Sequence, residues 1–180
     1  LSINTFKGVD NSTFPNAIVL PSTLENLCLF NDSQNKLPLS KLAFPDGTSN
    51  LKCLVLNCDL DFSKGSPVFE NVEYVAIKSK YLDQLPNITP NAETIRIIGN
   101  ENFQESNPLK PMMRIKKIEG YLQNNPLPCT IYPNAEEIYL SHTDAVDMVK
   151  LFEGFSKLKQ LHVAHIKSDD QMEVLHKKFS

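Results

Sequence analysis

The sequence predicts an α/β solenoid: one curved parallel sheet, with loops or short helices returning over its convex side, built from about seven to eight repeats. Two observations predict it. An apolar triplet of fixed spacing recurs down the chain, and the phrase that leads into each triplet recurs with it.

The triplet is apolar-x-x-apolar-x-apolar, found at Leu24/Leu27/Leu29, Leu51/Leu54/Leu56, Val72/Val75/Ile77, Ala92/Ile95/Ile97, Ile115/Ile118/Gly120, Ala135/Ile138/Leu140 and Leu158/Leu161/Val163. Its central residues follow one another at intervals of 27, 21, 20, 23, 20 and 23 positions. An x-L-x-L run is a short strand with alternate side chains inward, and the apolar residue three before it closes the bend into that strand. One coil cannot bury these side chains alone, so consecutive coils must stack and share an interior. The lead-ins Phe69-Glu-Asn-Val-Glu-Tyr-Val, Thr89-Pro-Asn-Ala-Glu-Thr-Ile, Tyr132-Pro-Asn-Ala-Glu-Glu-Ile and Phe155-Ser-Lys-Leu-Lys-Gln-Leu are variants of one phrase.

On these residues the chain resembles the leucine-rich-repeat family, whose repeats run to about 20–29 residues. The family's consensus implies an Asn or Cys three residues after the last strand leucine, bonding the turn. That slot holds Asp32, Asp59, Lys80, Asn100, Gln123, Thr143 and Ile166, so only Asn100 matches and irregular curvature is expected.

The return segments of the first two-thirds carry many prolines, among them Pro38, Pro45, Pro67, Pro86, Pro90, Pro108 and Pro111. Proline resists long helix, so loops and single helical turns are expected there. Two helices are signalled near the C-terminus. Asp144 caps the first, with Val146, Met148, Val149, Phe152 and Phe155 largely on one face and Gly154 near its end. Ser168 and Gln171 form a capping box for the second, which is lined by Met172, Leu175 and Phe179.

Composition narrows the function classes. The 180 residues suit a single repeat domain, 1–180, and 41% hydrophobic with 22% charged residues is a folded composition. A formal charge of −3 lacks the basic footprint that nucleic acid requires. The sequence has no apolar run of about 18 residues and no charged-then-apolar leader, so membrane insertion is not expected. It begins at Leu1 rather than Met, which is compatible with a leader or a whole domain ahead of it.

Cys28, Cys53, Cys58 and Cys129 are not clustered in the way that caps secreted repeat ectodomains, and they read as free thiols of an intracellular, reducing compartment. Sequons at Asn11, Asn31 and Asn87 keep an extracellular or cell-surface ligand-binding ectodomain as the alternative.

Catalytic and metal chemistry finds no foothold. His162 and His165 would share a face on a helix but point to opposite faces on a strand. Lys64-Gly65-Ser66 reverses the order of a phosphate loop and reads as a turn. Asp59 and Asp61 read as solvated turn acids, and Cys53 and Cys58 lack a second CxxC-type partner pair. No nucleophile elbow is present, so the chain is expected to be no enzyme and to need no cofactor and no metal.

What remains is recognition. The residues alternating with the inward leucines project from the concave side, and among them Phe30, Val55, Tyr74, Lys78, Arg96, Ile98, Lys117, Glu119, Tyr121, Glu137, Tyr139 and His162 are the expected partner-binding set. Aromatics and Arg concentrate in interface hot spots, which singles out Tyr74, Arg96, Tyr121 and Tyr139 as anchors. The expected partner is a protein or peptide, held by a monomer or by one part of a larger complex. Irregular repeats and helical late turns are similar to the repeat region of F-box-type substrate receptors of ubiquitin ligases, and that resemblance implies a partner to be recruited. The chain itself has no F-box segment. A structural spacer without a dedicated ligand is the remaining class.

Overall fold

A computed structural model describes residues 17–30, 36–44, 50–99, 110–120, 129–141 and 154–164. In chain order the strands among them are β1 (Ile18–Val19), β2 (Asn26–Phe30), β3 (Leu37–Pro38), β4 (Leu42–Ala43), β5 (Cys53–Asn57), β6 (Leu60–Asp61), β7 (Tyr74–Lys78), β8 (Thr94–Ile98), β9 (Lys117–Gly120), β10 (Glu137–Leu140) and β11 (Gln160–Val163). Seven of these form one parallel sheet in the order β11-β10-β9-β8-β7-β5-β2. Each coil lays its strand beside that of the coil before it, so the molecule is a parallel-strand solenoid.

Register follows from the apolar triplets. Leu27, Leu54, Val75, Ile95, Ile118, Ile138 and Leu161 lie opposite one another across the whole sheet. The first six are 0% exposed. Burying a Leu or Ile stabilises by about 1.5–3 kcal/mol, and slipping one strand by a residue would turn its entire apolar set outward, so this row locks the stack.

The lead-in phrase has its own structural work. Phe69, Thr89, Met112, Tyr132 and Phe155 are all buried and each starts a tight turn, closed by bonds such as Ala135 N–H to Tyr132 O at 3.1 Å. They supply a fourth core position in five successive coils, six residues ahead of the central leucine position. One residue before the first apolar of the triplet, asparagine side chains bridge coils: Asn50 Nδ2 donates to Ser22 O (3.0 Å), Asn91 to Glu70 O (3.0 Å) and Asn134 to Met113 O (2.7 Å). An asparagine ladder therefore exists on the leading side of the strands. The family's consensus would have put it on the trailing side, where Asp59 instead pairs with Lys78 and Lys80 at 2.7 and 2.9 Å. Asn100 and the remaining trailing slots, apart from Lys80, lie outside the described residues.

Backbone bonds complete the stitching. The carbonyl of Glu93 accepts from both Lys116 N–H (2.8 Å) and Lys117 N–H (3.2 Å), and Glu25, Lys52, Glu73, Lys116 and Glu136 do the same for the next coil. On the return side β1 pairs with β4 and β3 with β6, while Phe69 N–H reaches Ile88 O and Met112 N–H reaches Ile131 O, both at 2.7 Å.

Helix is scarce among the described residues, so they are more nearly all-β than the α/β class anticipates. The return segments hold 3-10 turns at Leu39–Lys41 and Ser79–Gln84 and the one-turn α1 (Leu85–Ile88), with Pro86 in its first turn where a missing N–H costs nothing. This is the loop-and-single-turn pattern the prolines predict. Of the first C-terminal helix only Gly154 and Phe155 are described, and the second falls entirely outside the described residues. No helix among the described residues is long and apolar enough to cross a membrane.

Candidate functional site

Strand alternation sends every second side chain away from the core, and on the seven-stranded sheet these outward residues form the walls and floor of an open groove of about 1160 Å³. Phe30, Val55, Tyr74, Arg96, Ile98, Lys117, Glu119, Tyr139 and His162 line it. Lys78 stands at the trailing end of β7, with its ammonium engaged by Asp59. Glu137 stands at the leading end of β10, accepting the Tyr139 hydroxyl at 3.3 Å. Tyr121 lies outside the described residues.

The groove has two chemically different halves. Across β2, β5 and β7 the outward residues are Asn26, Cys28, Phe30, Cys53, Val55, Asn57, Tyr74, Ala76 and Lys78, an uncharged set but for Lys78, with Ala76 covered to 1% exposure between Val55 and Arg96. Across β9, β10 and β11 they are charged and aromatic. Glu119, Tyr139 and His162 are neighbours along one row of the sheet, and Arg96 continues that row on β8.

Contacts within the second half are specific. Lys117 pairs with Glu119 at 2.8 Å and holds its ammonium 4.4 Å from the centre of the Tyr139 ring. Tyr139 stacks on His162 with centroids 4.3 Å apart and planes 4° from parallel. On β7, burial raises the Tyr74 phenol above its ordinary range, a shift opposed by its hydrogen bond with Arg96. The carboxylate of Glu119 holds the Lys117 ammonium above its ordinary value.

Neither a family model, nor a curated protein, nor a solved structure matches the chain.

The residues considered for other chemistry fall apart in space. Cys58 is fully buried and its thiol is pushed up to about 12, chiefly by desolvation, while Cys53 is half-exposed on the opposite face. All four thiols are free. Asp61 accepts the Ser63 N–H at 2.8 Å and is held below its usual value by it, a turn-forming role. Gly65 adopts φ 80° in the adjoining turn, closed by its N–H to Phe62 O at 2.9 Å. His162 lies in the groove, and His165 is outside the described residues. Among the described residues no three His, Cys, Asp or Glu side chains gather as metal ligands would. Sequence reasoning missed the bridging asparagines and the fourth core position, although the repeated phrase contains both: its first residue is the buried one and its third is Asn or Lys.

Proposed function

We propose that the chain is a protein-interaction module of leucine-rich-repeat type, of about seven to eight repeats, which holds a protein or peptide partner in the concave groove. The observation that carries this reading is the groove's lining. A sheet face with no ligand would be covered by short polar residues, whereas here Phe30, Val55, Tyr74, Ile98, Tyr139 and Arg96 are gathered along one open surface. Exposed apolar and aromatic groups gathered in this way mark interaction sites. The six strand steps span roughly 29 Å, which suits a peptide or one face of a small domain. The Lys117–Tyr139–His162 stack supplies what an interface needs, side chains immobilised before the partner arrives.

Resemblance of the irregular repeats to F-box-type receptors supports a narrower version, in which the partner is a protein substrate recruited to a ubiquitin ligase. Four free thiols suit the reducing compartment where that recruitment occurs.

Affinity capture from native extract tests the reading, using the wild-type chain beside Arg96→Glu, Tyr139→Ala and, as a control away from the groove, Lys110→Glu. A partner retained by the wild type and the control but lost by both groove variants is the expected result. Retention by all four proteins would remove the groove from the function.

A further inference from the structure

Arg96 occupies β8, the middle strand of the seven, with three strands on either side. It is exposed, while its chain neighbours Ile95 and Ile97 are at 0% and 2%. A guanidinium carries five N–H donors in a flat fork that fits a carboxylate through two parallel bonds. What contacts it here is the phenol of Tyr74, a neutral group that orients the fork without cancelling its charge. Lys117, the other cation of the groove, is already matched by Glu119 at 2.8 Å. Among the described residues no carboxylate pairs with Arg96. Arg96 therefore stands at the centre of the groove with no ion pair of its own among the described residues, beside a Glu119 carboxylate that Lys117 already holds.

We propose that Arg96 receives a single carboxylate of an extended acidic partner segment, and that an apolar side chain of the same segment seats on Phe30 and Val55. This inference rests on the reading of the groove as a peptide site and gives that peptide its chemistry. One carboxylate is favoured over a doubly charged phosphate because Arg96 offers a single positive charge, the Lys117 ammonium being already held by Glu119. The apolar seat fixes the spacing. Val55 lies two strands from Arg96 and Phe30 three, or about 10 and 14 Å at the usual strand separation. An extended chain covers about 3.3 Å per residue, so the segment crosses the strands with its Asp or Glu three or four residues from a Leu, Ile or Phe.

Selection of a randomised nonapeptide display library on the wild-type chain, followed by calorimetric titration of the best synthetic peptide, tests this. Enriched sequences with an acidic residue three or four positions from a large apolar one are expected. Arg96→Gln should then weaken that peptide by about 10- to 100-fold, the value of a charge-assisted hydrogen-bonded pair. Arg96→Lys should fall between, since it keeps charge but not the fork, and changing the peptide's Glu to Gln should cost nothing further on Arg96→Gln. Thermal melts confirm that each variant is folded.

Peptides that bind Arg96→Gln as well as wild type but are lost on Val55→Arg would overturn the carboxylate inference and leave the groove reading standing. Phosphoserine binding more tightly than Glu at the same position would overturn the single-carboxylate assignment. Binding indifferent to both variants, or no enrichment at all, would overturn the inference together with the groove reading.

Discussion

Tyr139 and His162 lie face to face, their ring centroids 4.3 Å apart and their planes 4° from parallel. Strands β9 and β11 flank β10 on opposite sides, so Lys117 covers one face of the Tyr139 ring while His162 covers the other. Aromatic pairs of this kind contribute about 0.5–1.5 kcal/mol beyond area burial. A double-mutant cycle of Tyr139→Ala and His162→Ala, read by urea unfolding, is expected to return a coupling in the lower part of that range, because His162 is exposed. Tyr139→Phe keeps the stack and should change stability by only a few tenths of a kcal/mol, the usual size for a surface change. Strictly additive single mutants would show that the rings do not stack in solution.

The core offers a sharper case at Tyr132. Its ring fills the buried lead-in position that Phe69 and Phe155 fill in other coils, yet its hydroxyl is enclosed at 0% exposure with no hydrogen-bond partner among the described residues. Burial also drives the phenol well above its usual titration range. A buried unsatisfied hydroxyl costs about 1–3 kcal/mol, so Tyr132→Phe is expected to stabilise the protein by about 1 kcal/mol. Calorimetric melting gives the answer directly: a lower midpoint for Tyr132→Phe would mean the hydroxyl is bonded after all.

These two tyrosines mark where the sequence was legible and where it was not. Strand positions, their order and their register could be read because the triplet Leu24/Leu27/Leu29 and its successors turn the same three places inward in each coil, and only stacked parallel strands satisfy that. The outward set could be read by alternation alone, which is why Arg96, Tyr139 and His162 fall in one row. Pairings within the set could not, since Lys117 turning to Glu119 and Tyr139 depends on side-chain rotamers that no spacing encodes. The asparagine ladder was visible in the repeated Asn of the lead-in phrase, but the family's consensus directed attention to the trailing slot. There Asp59 does the job by ion pairs instead.

Gly120 replaces the third apolar residue of its triplet, and the reason is steric. A methyl at this position would lie 2.9 Å from Ile97 Cβ and 3.0 Å from its carbonyl oxygen on the neighbouring strand. Because the obstacle is backbone and Cβ rather than a flexible tip, the strands themselves would have to part. Gly120→Ala is expected to cost about 1–3 kcal/mol, as overpacked cores do. Gly154→Ala should behave alike, with Cys129 Sγ 2.6 Å from the new methyl. Gly65→Ala has open space around it and meets only the penalty of φ +80°, about 1–2 kcal/mol. Chemical denaturation of the three variants decides the matter, and a neutral Gly120→Ala would contradict the strand spacing described here.

Acid tests the trailing corner. Asp59 accepts Lys78 and Lys80 at 2.7 and 2.9 Å, and these two bonds hold its carboxyl below the ordinary value of 3.8. A carboxyl whose value is lower when folded than when unfolded gives stability that is fully present above the unfolded value. That stability disappears as pH falls through the folded one. The difference in unfolding free energy between wild type and Asp59→Asn should therefore be constant from about pH 7 to 5, and should shrink steadily below about pH 4. Urea unfolding of the two proteins across that range is the measurement, and a gap that widened on acidification would show that the lysines do not hold Asp59 in solution.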